Sequence, residues 1–149
     1  MLEDWFPFLA CWEKFKAGPD AKQVDGNYET VKAFFQVSLV SPAVCILLLW
    51  EDKVVRGFSI LTENQATRVN PATGGVELVM HGFVRGIHIQ HGTPLRHTLA
   101  LENHICQWGR ERRHPFLTGY CSEEYFERAQ GPYKRLGWDK SHIVVAKQL

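Results

Sequence analysis

Between Val76 and Trp138 the chain spells out strand, turn, long helix, strand and short helix, and that order limits the folds open to it. Two apolar strands joined by a helix of this length form a βαβ unit, so the strands should be parallel and the crossover right-handed. At the mouth of such a unit the helix N-terminal amides point at whatever lies beyond the strand ends. That mouth is where a working site is expected.

The third strand of the chain is predicted over Val76 to Gln90, interrupted by Gly82 and Gly86, which predict a bulge that splays it from a neighbour. Thr93 or nearby starts the long helix, with Pro94 suited to a first helical position. Thr98, Leu101, Ile105 and Trp108 form its buried stripe, and Arg110 to Arg113 bring positive charge to its C-terminus, where the dipole favours it. Phe116 to Cys121 reads as the next strand. Glu123 to Leu136 reads as a helix broken at Gly131-Pro132 and closed by Gly137, and Ile143 to Ala146 as a last strand.

Upstream, Trp5, Phe8, Leu9, Trp12 and Phe15 recur at three- and four-residue steps, which predicts a first helix over Leu2 to Lys16. Asn27 is a suitable N-cap for a second helix through about Ser38, with Val31, Phe34 and Phe35 facing inward. Val44 to Trp50 and Val54 to Thr62 are two strands around a tight Glu51-Asp52-Lys53 turn. Gly57 in the second of them marks a bulge or a close neighbour. Glu63 to Gly75, with Asn-Pro and Gly-Gly, reads as a loop.

With 149 residues and 45% hydrophobic content the chain is expected to form one domain with a sizeable core. Seventeen basic against sixteen acidic side chains leave a formal charge of +1, no electrostatic footprint for nucleic acid or an anionic membrane. The Arg110, Arg112 and Arg113 cluster reads as solvated helix-end charge; a nucleic-acid patch with Trp108 stacking on bases is the less favoured alternative. The longest apolar run, Val44 to Trp50, has strand length, and Glu3 and Asp4 stand where a signal peptide would be basic. A cytoplasmic protein is expected. Cys11, Cys45, Cys106 and Cys121 lack CxxC spacing and read as inert thiols, with a Cys121 nucleophile near a predicted strand end as the alternative. Seven histidines without HxxxH or HxH spacing predict no metal site.

Three residues of the third strand region could accept a proton near neutral pH. His81 and His88, seven apart, should point to opposite faces of a regular strand, and His91 follows at its end. Glu77, at the strand's start, is a fourth candidate base. The plainer reading of each histidine is a satisfied packing residue.

The order hairpin, long strand, helix, strand, then Tyr133-Lys134-Arg135-Leu136-Gly137-Trp138, resembles the GCN5-related N-acetyltransferase (GNAT) superfamily. That family often closes its second core helix with Tyr-x-x-Leu-Gly-Phe, and Ala129, four residues earlier, also fits. Trp50 to Phe58 is similar to its second hairpin, and Leu99 to Arg113 to its cofactor-binding helix. The resemblance spans roughly residues 29 to 149. It implies an α/β fold: a mostly antiparallel twisted sheet with a splayed parallel pair, flanked by about four helices. It also implies acetyl-CoA as acyl donor, an amine-bearing acceptor that is a small molecule or protein, and a monomer or homodimer.

Three departures stand out. Gln90-His91-Gly92-Thr93-Pro94-Leu95-Arg96 replaces the pyrophosphate signature Arg/Gln-x-x-Gly-x-Gly/Ala. Phe126 replaces an asparagine, and the usual first strand is absent. On this resemblance Gly92-Thr93 would supply amides, Thr93 a hydroxyl and Arg96 a guanidinium to the pyrophosphate. Gln90 and His91 flank them. Amides near Ile87 and Ile89 would hold the oxyanion of acyl transfer, and Tyr133 would protonate the leaving thiolate. The alternatives are a GNAT-like binding or assembly module without catalysis, and an enzyme of the same fold that modifies nucleobases.

Overall fold

A four-stranded sheet with its strands in chain order organises the fold, with helices on both faces. The computed structural model describes residues 2–18, 28–119 and 134–138. A single 3-10 turn, Leu2–Asp4, leads into α1 (Trp5–Lys16), followed by α2 (Tyr28–Ser38). Strands β1 (Val44–Glu51), β2 (Val54–Val69) and β3 (Val76–Ile89) pair antiparallel, and α3 (Leu95–Glu111) then returns the chain to β4 (Leu117–Gly119). β4 lies parallel to β3, so the expected βαβ unit is present. The mixed sheet with one parallel pair is the fold class anticipated above.

Each face of the sheet owns a separate core. On one side the α1 stripe Phe8, Cys11, Trp12 and Phe15 and the α2 residues Val31 and Phe35 meet Val55, Phe58 and Ile60. Phe8 stacks on Phe35 and sets its edge against Phe58, and such aromatic geometry adds about 0.5–1.5 kcal/mol per pair beyond simple burial. On the other side Leu101, Ile105 and Trp108 of α3 cover Leu61 and Val84. Thr98, expected in that stripe, is only half-buried, and Glu102 is buried beside it.

The β1–β2 turn carries Asp52 and Lys53 at φ 48° and 64°, the left-handed pair a two-residue hairpin needs. Gly57 meets its predicted close neighbour: a Cβ there would sit 2.6 Å from the His88 carbonyl oxygen. The sheet registers also slip between Leu49 and Trp50, as a bulge at this place requires.

The Glu63 to Gly75 loop is corrected. β2 continues to Val69 and pairs with β3 down to Val69↔Val76, leaving only a short turn at residues 70–75. Local polar bonds supply what apolar content did not. Asn70 Oδ1 accepts from Ala72 N at 2.8 Å, Asn70 N donates to Gly75 O at 2.7 Å, and Arg68 pairs across the ladder with Glu77. Thr67 and Val69 suit an extended chain even without burial.

The start of α3 is also corrected by a residue or two. Pro94 is the N-cap rather than the first helical residue, at φ −59° and ψ 140°, and no side chain caps the end. The expected fourth strand is described only over Leu117–Gly119. The predicted helix Glu123–Leu136, apart from its last residues, and the strand Ile143–Ala146 lie outside the described residues, as do Asn27 and Cys121.

Candidate active site at the end of strand three

Three pairs join β3 to β4: Gly82↔Leu117, Phe83↔Thr118 and Val84↔Gly119. Beyond them, no strand among the described residues pairs with that edge of β3 from Arg85 to Ile89. The direction of the amides there follows from one bond. Gln90 N donates to Arg56 O at 2.8 Å, toward β2. Amides alternate along a strand, so His88 N–H also faces β2 while those of Ile87 and Ile89 face the open edge.

A bulge sets which side chains reach this edge. Ile60 pairs with Gly86 and Leu61 with Val84, so Arg85 is one residue more than β2 can match. The extra residue inverts the alternation. Val84, Ile87 and Ile89 therefore all pack toward α3, whereas His88 packs with Phe15 and Phe58 on the α1 side, ring centroids 4.8 and 5.6 Å away. Phe83, one residue before Val84, faces the α1–α2 side, and so does His81 two residues earlier. His81 and His88 thus share a face, contrary to the expectation for a regular strand.

Sharing a face does not bring them together. Seven residues of strand separate them by about 20 Å. His81 is buried, stacks on Phe116 at 4.8 Å and is hydrogen-bonded through Nε2 to Thr118 Oγ1 at 2.9 Å. Burial first, then the nearby His114 charge, push its pKa below the ordinary imidazole value. Glu77 lies farther off, at the far end of the β2–β3 hairpin. Arg68 Nε donates to it at 2.6 Å and Asn70 Nδ2 at 2.9 Å, and these bonds hold its carboxyl below the ordinary range. Of the candidate bases in the strand, His88 alone stands at the open edge, with His91 just beyond it.

The turn into α3 is built on Gln90. Its carbonyl accepts from Thr93 N at 3.2 Å and from Thr93 Oγ1 at 2.7 Å. Both Thr93 donors, expected to serve a ligand, are thus engaged within the turn. The Gln90 side chain donates to Cys11 Sγ at 3.6 Å and Val55 O at 3.5 Å, which ties the strand end to α1. Gly92 sits at φ 84° with open space where a Cβ would be. In the first turn of α3, His97 N and Thr98 N both donate to Pro94 O. The amides of Leu95 and Arg96 precede any intrahelical acceptor, so they face outward with the positive end of the dipole. Arg96 is exposed, its Nε 3.3 Å from His97 Nε2.

A cleft of about 550 Å³ opens beside this turn, lined by Lys14, Phe15, Gly18, His88, Ile89, Gln90 and His91. Tyr133 lies outside the described residues; Trp138, from the same motif, packs against the α3 core. Its indole Nε1 donates to the buried Glu102 carboxylate at 2.7 Å. Glu102, Arg85 and Lys14 are absent from the sequence-based site. Arg85 donates from Nε to Thr62 Oγ1 at 3.1 Å and lies over the Phe34 ring at 5.0 Å, pinning the bulge to α2. A charged residue directly before a strand glycine was the available signal. Burial, foremost, raises the pKa of Cys11, Cys45 and Cys106, the direction that disfavours the reactive thiolate. Among the described residues no group of His, Cys, Asp or Glu could hold a metal, and no helix is long and apolar enough to cross a membrane.

No family model and no curated protein matches the chain. Solved structures do. The aminoglycoside 6'-N-acetyltransferase AAC(6')-Ig of Acinetobacter haemolyticus is similar over 99% of this chain and 92% of its own, with TM-score 0.67 and 13% identity. A mutant of the BH1408 protein of Bacillus halodurans is similar over 100% and 96%, with TM-score 0.70 and 12% identity. AAC(6')-Iy, in complex with the bisubstrate analogue CoA-S-monomethyl-acetylneamine, is similar over 84% and 82%, with TM-score 0.63 and 17% identity. The fold of the chain is therefore the GNAT fold that the sequence resemblance implied.

Proposed function

We propose that the chain is an acetyl-CoA-dependent N-acyltransferase that acylates a primary amine by direct attack in a ternary complex. The observation that carries this reading is the end of β3. Two outward amides, Ile87 and Ile89, stand on an edge without a described neighbour strand and lead straight into the N-terminus of α3. An extended amide-bearing arm adds to such an edge as a strand would. Solved structures of the same fold include a complex with a CoA-based bisubstrate analogue.

The residues present fit such a donor in most respects. Leu95 and Arg96 amides, the Arg96 guanidinium and the open Gly92 turn would hold a pyrophosphate. Pro94 has no N–H to offer, and Thr93 spends its donors on Gln90. The pyrophosphate would therefore lean on the helix amides and Arg96 more than on the turn. Bound acetyl-CoA supplies an acetyl group activated as a thioester: a C–N bond to the acceptor forms, the C–S bond breaks, and the proton the amine loses balances the one the thiolate gains. The amide of Ile87 or Ile89 would stabilise charge on the carbonyl oxygen. His88, which packs on Phe15 and Phe58, would take the amine's proton, with His91 the other imidazole at the cleft. Tyr133 is the proposed proton donor to sulfur, on the motif alone.

Calorimetry with acetyl-CoA tests the reading. Saturable binding that weakens on Arg96→Glu supports it, and no heat up to millimolar ligand sinks it. One observation favours a second reading, a non-catalytic module of this fold: both Thr93 donors already serve Gln90. That reading predicts the absence of binding in the same titration.

A further inference from the structure

Among the described residues the cleft beside the strand end is lined by charge of one sign only. Lys14 brings an ammonium, and His88 and His91 bring imidazoles, which carry no negative charge. No carboxylate lines it among the described residues. Glu51 is reached from Gln90 only through Arg56, whose Nη1 lies 3.5 Å from Gln90 Oε1, and that guanidinium already pairs with Glu51 at 3.2 Å.

The placement of Lys14 is built into the fold. Cys11 and Lys14 stand three residues apart on one face of α1, and Gln90 reaches Cys11 Sγ from the end of β3. Phe15, next along the helix, packs on His88. The ammonium is thus carried to the same strand end that presents the Ile87 and Ile89 amides. One opposing field is the C-terminus of α1, worth roughly half a negative charge. Its last turn holds both Lys14 and Lys16, and Ala17 N and Gly18 N cover two of its carbonyls. The positive side prevails.

Resting on the proposed acyl transfer, we infer that the acceptor is an amine that also carries an anionic group, a carboxylate or a phosphate, held by Lys14 with His91 beside it. Polycationic amines of the aminoglycoside kind meet like charge here and are poor acceptors. The acceptor's amine nitrogen forms the bond to the acetyl carbon, its proton passes to His88, and its anion stays paired with Lys14.

Matched pairs of acceptors test this on the full chain, with products read by mass spectrometry: O-phosphoethanolamine against ethanolamine, amino acids against their amides, and kanamycin as polycation. Binding of acetyl-CoA and of each acceptor is measured alongside by calorimetry. Turnover or binding favouring the anionic members at least tenfold, with the preference abolished or reversed in a folded Lys14→Glu variant, supports the inference. Acetyl-CoA binding with equal or better use of the neutral or cationic members overturns it and leaves the acyltransferase reading standing. So does an anion preference that Lys14→Glu does not alter, or failure of the anionic members in both turnover and binding. Absence of acetyl-CoA binding overturns both.

Discussion

Trp138→Phe would install the residue often seen at this place in the GNAT motif, and a reading by resemblance predicts little effect. The structure predicts a loss. Trp138 Nε1 donates to Glu102 Oε1 at 2.7 Å, and Glu102 is 8% exposed. Its other described contact is a weak one from Cys106 Sγ at 3.8 Å. Removing the indole N–H leaves a buried carboxylate without its strong donor. Hydrogen bonds to charged groups contribute about 1.5–3 kcal/mol, and a stranded buried acceptor costs at least as much. In a chain of this size each kcal/mol lowers Tm by about 2–4 °C, so the expected drop is about 3–12 °C. Replacing both partners with apolar groups removes the stranded charge, so Trp138→Phe with Glu102→Leu should be more stable than Trp138→Phe alone. Urea unfolding of the four members of the cycle, followed by far-UV circular dichroism, gives the coupling energy. A value below about 0.3 kcal/mol, within the usual error of additivity, would refute the reasoning.

Three further outcomes follow from single sites. His81 has its pKa depressed by burial, foremost, and by His114, so the folded state binds its proton less readily than the unfolded state. Its contribution is therefore complete above the usual imidazole value of 6.5 and is lost as pH falls from there toward the folded pKa. Urea midpoints should decline over that range in the parent and decline less in His81→Asn; identical slopes would contradict this. Gly57→Ala should cost about 1–3 kcal/mol, because its Cβ meets backbone, the His88 carbonyl at 2.6 Å, and not a yielding side chain. An unchanged unfolding midpoint would show that the strand relaxes freely. Glu63→Ala should cost about 1.5–3 kcal/mol, since Glu63 accepts from Arg112 Nε at 2.8 Å and lies 3.3 Å from the buried His114 ring. Hydrogen exchange should then rise at the C-terminal turn of α3, and exchange confined to other segments would argue against that linkage.

Elements with strong apolar periodicity were legible from the chain. The α1 stripe, the β1–β2 turn and the α3 stripe hold almost residue for residue, because burial itself writes the spacing. The β2–β3 extension was illegible for the opposite reason. Val69, Val76 and Leu78 are exposed there, and the ladder rests on backbone pairing and the Arg68–Glu77 bridge, which leave no apolar rhythm. At the site the glycines signalled a bulge in β3, but its position at Arg85, and so the face of His88, needed the pairing with β2. The presence of Lys14 in the cleft was invisible because its placement depends on Gln90 reaching Cys11 across 79 positions of sequence. Polar contacts between distant segments have no local signature.

The extra residue at Arg85 has a consequence for how this site can change. β3 is read in two phases, one upstream of the bulge and one downstream, joined by a single unmatched position. Substitutions within either phase alter one side chain at a time. Loss or gain of one residue at the junction exchanges the two faces for everything after it, turning His88 toward α3 and Ile87 and Ile89 toward α1. The chemistry offered at the strand end is thus set by a count as much as by residue identity. A one-residue deletion there would abolish it without removing any residue of the site.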